Sequence, residues 1–142
     1  MNIDLRKPPG EMVLRTLAMP ADTNANGDIF GGWLMSQMDI GGAILAKEIA
    51  GGRVVTVQVE SITFLKPVRV GDVVSCHAYC IRTGRSSIRI KIEVWIKKVS
   101  SEPLGRHYCT TEGIFIYVSV DKNGNSCSLP EGKGGWVLSS TS

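Results

Sequence analysis

The stretch Asp22–Ala50, DTNANGDIFGGWLMSQMDIGGAILAKEIA, decides how this chain folds. Its first half is turn chemistry: Asp22, Asn24, Asn26, Gly27 and Asp28 stand among small residues that favour turns and helix starts. Its second half predicts a proline-free helix of roughly five turns, with Asp28 placed to cap it and Gly31–Gly32 at its start. At about 100° per residue, Leu34, Met38, Gly41, Leu45 and Ile49 fall on one face, with Met35 and Gly42 beside them. Trp33, Ile40 and Ile44 make a second apolar stripe nearly opposite. A helix with two such stripes needs cover on two sides, and the expected covers are its own sheet and a second subunit. Gly41 and Gly42 are expected to let that partner come close.

Asp39 lies at the border of the main apolar face, beside Met35, Ala43 and Ala46 in projection. A carboxylate there is either a capped or solvated surface acid, or one held for chemistry, since burying it unpaired is costly. Gly31 and Gly32 also carry two readings. They let another backbone approach, or they leave the first helical N–H groups open to polarise a carbonyl. A calcium loop is excluded. Asp22–Gly27 copies the first half of an EF-hand loop, but the twelfth position, which should supply a glutamate, is Trp33.

Outward from the helix, the remaining chain reads as strands. Glu11–Ala18 is a first strand, ended by Pro20, and Gly51–Gly52 stops the helix. Val55, Val57 and Val59 alternate with Thr56, Gln58 and Glu60, a half-buried strand. Val73–Ile81 follows, then Ser87–Lys98, where isoleucines and Val94 alternate with Arg89, Lys91, Glu93, Trp95 and Lys97. Arg106–Val120 supplies the last strand. Short connections favour an antiparallel meander of the last four. The fold class is α+β, a hotdog arrangement in which a sheet of about five to six strands wraps one long helix. The expected domain spans 9–121, and 122–142, rich in Gly, Ser, Lys and Asn, reads as a flexible tail with Trp136-Val137-Leu138 as a weak docking point.

A chain of 142 residues with 43% hydrophobic and 20% charged residues fits one ordinary globular domain. A net charge of +3 is too small to argue for nucleic acid, though it suits an anionic ligand. No run approaches the ~18 apolar residues of a membrane span. Met1–Gly10 has no apolar core of a signal peptide. Cys76, Cys80, Cys109 and Cys127 form no C-x-x-C pair, so unbridged thiols in a reducing cytoplasm are expected, with no metal site.

The run D-T-N-A-N-G-D-I-F-G-G-W-L-M-S-Q-M-D resembles the signature of hotdog-fold acyl-CoA thioesterases of the YciA type. Val54–Val57 (VVTV), Phe64–Val68 (FLKPV), Val70–Asp72 (VGD) and Gly84–Ser87 (GRSS) extend the likeness over about Glu11–Val120. The resemblance implies that Asp39 is the essential carboxylate and Asn24 its polar partner. It also implies that amides near Gly31–Gly32 polarise the thioester carbonyl. Asp39 then serves either as general base or as nucleophile. No cofactor is implied, coenzyme A being part of the substrate. The coenzyme's phosphates need donors, and Arg82, Gly84, Arg85, Ser86 and Ser87 offer them in one turn, with Lys66 as a further candidate. The family also implies a two-fold dimer built up into a hexamer or tetramer. No G-x-S-x-G elbow is present for a serine hydrolase. The alternative function is an acyl-CoA binding or sensing protein without catalysis, which should have lost Asp39.

Overall fold

The computed structural model describes residues 7–99 and 104–137. Strands β1 (Glu11–Leu17), β2 (Val54–Phe64), β3 (Val73–Thr83), β4 (Ser87–Lys97) and β5 (His107–Ser119) form one antiparallel sheet. A single long helix, α1 (Gly31–Ala50), packs against all five. The sheet order is β1-β3-β4-β5-β2. The expected four-strand meander therefore holds only for β3, β4 and β5. The helix carries the chain from one edge of the sheet to the other, so β2 pairs with β5, and residues 65–72 return to the β3 side.

Alternation along β4 sends Ile88, Ile90, Ile92, Val94 and Ile96 into the core against α1, all fully buried. The opposite face is not simply solvated. Glu93, Trp95, Ser75 and His77 are buried there as well, with Trp95 Nε1 donating to Glu93 Oε1 at 3.0 Å. Asp72, at the head of β3, accepts both from Lys98 Nζ (2.9 and 3.0 Å) and from the Arg69 amide (2.9 Å). Ser61, with φ 51°, bulges β2 and turns Ile62 onto Gly113, where a Cβ would meet Ile62 at 2.9 Å.

The helix buries Leu34, Met38, Gly41, Leu45 and Ile49, the face expected of it. Two expectations about it change. Its N-cap is Phe30, with no side-chain cap bond, whereas Asp28 bridges to Arg69 instead. Gly41 and Gly42 also face the chain's own sheet rather than a partner. A Cβ at 41 would stand 2.9 Å from Val13, and one at 42 would stand 2.4 Å from the Tyr117 hydroxyl. Of the second stripe, Trp33 packs on the core, while Ile40 (49% exposed) and Ile44 (41%) stand open in the single chain. Gly51 ends the helix in the left-handed conformation, its N–H reaching Lys47 O at 2.8 Å.

Of the segment read as a tail, residues 122–137 lie against the domain. Cys127 N donates to Ser119 O, Leu129 N donates to Arg85 O, and Leu129 is buried in the core cluster. A short 3-10 turn, Lys133–Trp136, follows, and Val137 bridges to Cys80. Leu138 lies outside the described residues. No helix among the described residues is long and apolar enough to cross a membrane.

Candidate active site

Helical spacing puts Gly32, Met35, Ser36 and Asp39 on one flank of α1. Across from them stand Thr56 and Val59 of β2 and Phe115 of β5, and together these residues line an open cavity of about 310 Å³. Asp39 is half-buried at its end. Thr56 Oγ1 donates to Asp39 Oδ1 at 2.6 Å. The Tyr117 hydroxyl lies 2.9 Å from the Asp39 carbonyl oxygen and 3.3 Å from Oδ1. Burial, then the nearby Asp39 charge, pushes the Tyr117 phenol far above its ordinary pKa, so it stays a donor. Met35 lines this cavity, whereas Met38 and Leu34 belong to the core.

The two glycines at the helix start differ. A Cβ at Gly31 would meet the Phe64 ring at 3.2 Å, so Gly31 makes room for that ring. Gly32 has nothing within 4 Å of such a Cβ and opens on the Asp39 cavity. No side-chain cap covers the start of α1, where the positive end of the helix dipole lies.

Asn24 is not brought to Asp39 within the chain. Its Oδ1 accepts the amides of Asn26 (2.9 Å) and Asp28 (3.2 Å), closing the turn before the helix. The expected nucleotide-binding set also divides. Arg82, Gly84 and Ser87 line a polar cavity of about 240 Å³ with Arg89, which is itself paired with Glu60. Arg85 points away: its two terminal nitrogens donate to Ser128 Oγ and Ser126 Oγ at 3.0 Å. The Ser86 carbonyl is taken by the amide of Ser119. Lys66 lies elsewhere, over the Tyr108 ring at 5.0 Å, and lines a third cavity with Gly31 and Phe64.

Thr56 and Tyr117 received no role from the sequence. Thr56 falls among the polar positions of the Val55–Glu60 alternation, and Tyr117 within the last strand. Nothing local says which helix residue a strand hydroxyl will meet. Among the described residues no three His, Cys, Asp or Glu side chains are grouped to hold a metal.

A sequence profile described as the thioesterase superfamily matches residues 26–101. Over 123 residues the chain is 72% identical to the acyl-CoA thioester hydrolase YciA of Salmonella typhimurium, covering 87% of this chain and 92% of that one. A hexameric thioesterase from Yersinia pestis superposes with a TM-score of 0.85 at 73% identity, over 88% of this chain and all of the other. An acyl-CoA hydrolase from Staphylococcus aureus, solved with butyryl coenzyme A and coenzyme A, superposes with a TM-score of 0.75 at 31% identity, over 82% of this chain and 70% of that one. That enzyme has also been solved with an aspartate, a threonine or an asparagine replaced by alanine. Likeness of this extent, on the same fold, means that the chain belongs to the thioesterase superfamily, among the hotdog-fold acyl-CoA thioester hydrolases of the YciA type.

Proposed function

We propose that this protein hydrolyses acyl-CoA thioesters, with Asp39 as its working carboxylate. The observation that carries this reading is a carboxylate held by Thr56 in an open cavity that Gly32, at the uncapped start of α1, also lines. In the reaction, a carbon–oxygen bond forms at the thioester carbonyl and the carbon–sulfur bond breaks. Water supplies the oxygen, the acyl group leaves as a carboxylate, and coenzyme A leaves as a thiol after taking a proton. Asp39 either removes a proton from water or attacks the carbonyl carbon itself. Amides at Gly31–Gly32 stabilise the oxyanion that develops. The site works without metal or other cofactor.

Spacing in a relative supports the residue set. In the Staphylococcus aureus enzyme the replaced asparagine stands 15 positions before the replaced aspartate and the replaced threonine 17 positions after it, as Asn24 and Thr56 stand to Asp39 here. Asn24 is read as serving the Asp39 of a neighbouring subunit, because its own chain keeps the two apart. The Yersinia pestis relative is hexameric, and we assign the same assembly here, built from two-fold dimers. Arg82, Ser87 and Arg89 hold the coenzyme's phosphates. Residues 9–121 are the catalytic domain, and the unbridged thiols of Cys76 and Cys80 fit the reducing cytoplasm.

The test is thiol release from acyl-CoAs between acetyl and palmitoyl, for the parent protein and for Asp39→Asn. Turnover should fall by about a thousandfold or more. Binding of coenzyme A should stay within about threefold, because phosphate contacts dominate it. Parent-like turnover in folded Asp39→Asn would remove Asp39 from the reaction.

A further inference from the structure

Asp39 is approached by two hydroxyls from the sheet, and the register of the sheet explains why. Thr56 of β2 and Tyr117 of β5 are directly opposed partners in the β2–β5 ladder. Directly opposed side chains share one face of a sheet at close range, so both hydroxyls rise toward α1 at the same place. Thr56 Oγ1 reaches Oδ1 at 2.6 Å, and Tyr117 reaches the same oxygen at 3.3 Å while touching the Asp39 carbonyl oxygen at 2.9 Å. Among the described residues, no hydrogen bond goes to Oδ2.

Gly42 makes the approach feasible. It lies one helical turn after Asp39, and a Cβ there would fall 2.4 Å from the Tyr117 oxygen and 2.6 Å from Ile92 Cδ1. The missing side chain is thus the slot through which a phenol enters a fully buried position and meets the backbone and side chain of Asp39 together. Tyr117 is further set by its ring, which stacks on Phe115 at 6.4 Å, and Phe115 lines the same cavity.

We propose that Tyr117 is a positioning residue for hydrolysis: with Thr56 it occupies Oδ1 of Asp39 and leaves Oδ2 as the oxygen presented to the thioester. The inference rests on the hydrolytic reading of the Asp39 cavity. Both routes open to a carboxylate, taking a proton from water or attacking carbon, need one oxygen aimed at the carbonyl centre. A free carboxylate rotates about its last bond and offers either oxygen. The Thr56 proton on Oδ1, together with the single Tyr117 proton shared between Oδ1 (3.3 Å) and the main-chain carbonyl (2.9 Å), restrains that rotation and ties the phenol to the same helical turn.

The competing role for Tyr117 is structural, a buried hydroxyl satisfied by a helix carbonyl. Kinetics on the assembled protein separate the two, using whichever acyl-CoA the chain-length screen shows to turn over fastest. Tyr117→Phe keeps the ring and its stacking, and Thr56→Val alters an exposed position, so both should remain folded by circular dichroism. Each is expected to lower kcat about ten- to a hundredfold, with KM within about threefold. The double variant should miss the product of the two single effects by about threefold or more, because both act on one oxygen. Thr56→Ser, which keeps the hydroxyl, should restore most of the kcat lost in Thr56→Val. A folded Tyr117→Phe with parent kcat and only a lower Tm would overturn the inference. So would a loss confined to KM, or a double effect equal to the product. Asp39→Asn run alongside separates the failures: if it is inactive while Tyr117→Phe keeps full kcat, only this inference falls. If Asp39→Asn keeps turnover, the hydrolytic reading falls first.

Discussion

His77 stands on the outward face of β3 with Nε2 3.1 Å from Ser75 Oγ, and only 8% of its surface meets solvent. Burial, then the charges of His107 and Arg15, holds its imidazole below the ordinary value of 6.5. In the unfolded chain the ring gains its proton near 6.5, whereas in the folded chain it resists until lower pH. The unfolded state therefore binds more protons across that window. Stability from this residue is complete above about 6.5 and declines as pH falls toward the folded-state value. Melting at pH 7.5 and pH 5.5 should show a lower Tm at the acid end, and His77→Gln should narrow the gap. An unchanged gap would show that His77 does not carry the acid sensitivity. At this scale the resemblance of the surrounding run, rather than the place of Asp39 on its helix, made that carboxylate legible. Thr56 and Tyr117 were not, because their importance lies in a register that joins residues 56 and 117.

The β3–β4 hairpin separates two arginines that the sequence had grouped. Strand pairing sets Arg82 opposite Arg89, and both line one polar cavity. Arg85, in the turn, is spent on Ser126 and Ser128 and holds the C-terminal segment. Arg82→Ala should raise KM for acyl-CoA about tenfold and leave KM for a pantetheine thioester nearly unchanged, since only the former carries the nucleotide phosphates. Arg85→Ala should move KM less than about threefold but expose residues 121–137 to faster limited proteolysis. Should Arg85→Ala impair acyl-CoA selectively while proteolysis stays slow, the two roles would have to be exchanged. The helix, β2 and β4 were readable from period, as β4 shows best. Their neighbours were not, and β2 sits beside β5 at the far edge rather than beside β3.

In the whole molecule, the single chain leaves Ile40 and Ile44 of α1 and Val57 of β2 exposed. Asn24 and Asp39 share neither a hydrogen bond nor a cavity within that chain. If each pocket combines Asp39 of one subunit with Asn24 of the next, then Asn24→Ala and Asp39→Ala chains complement each other. Unfolded together and refolded, about half the dimers should be mixed, each with one intact pocket. Activity should return to roughly one quarter of the parent by that symmetry. Mixed dimers seen by native mass spectrometry without recovered activity would put both residues in one chain's pocket.

From the sequence alone come the helix, its stop at Gly51, the strand periods, and the aspartate that interrupts an apolar face. All of these are local, since each depends on spacings of a few residues and on the geometry of one element. The tertiary structure alone decided that β2 crosses to the far edge, that Gly42 admits a tyrosine rather than a partner subunit, and that Arg85 holds the C-terminal segment. It also decided that hydroxyls at 56 and 117 meet one carboxylate oxygen at 39. Each of those facts is a contact between segments far apart in the chain. Such contacts are selected by packing the whole sheet against the helix, and no short stretch of sequence encodes that packing.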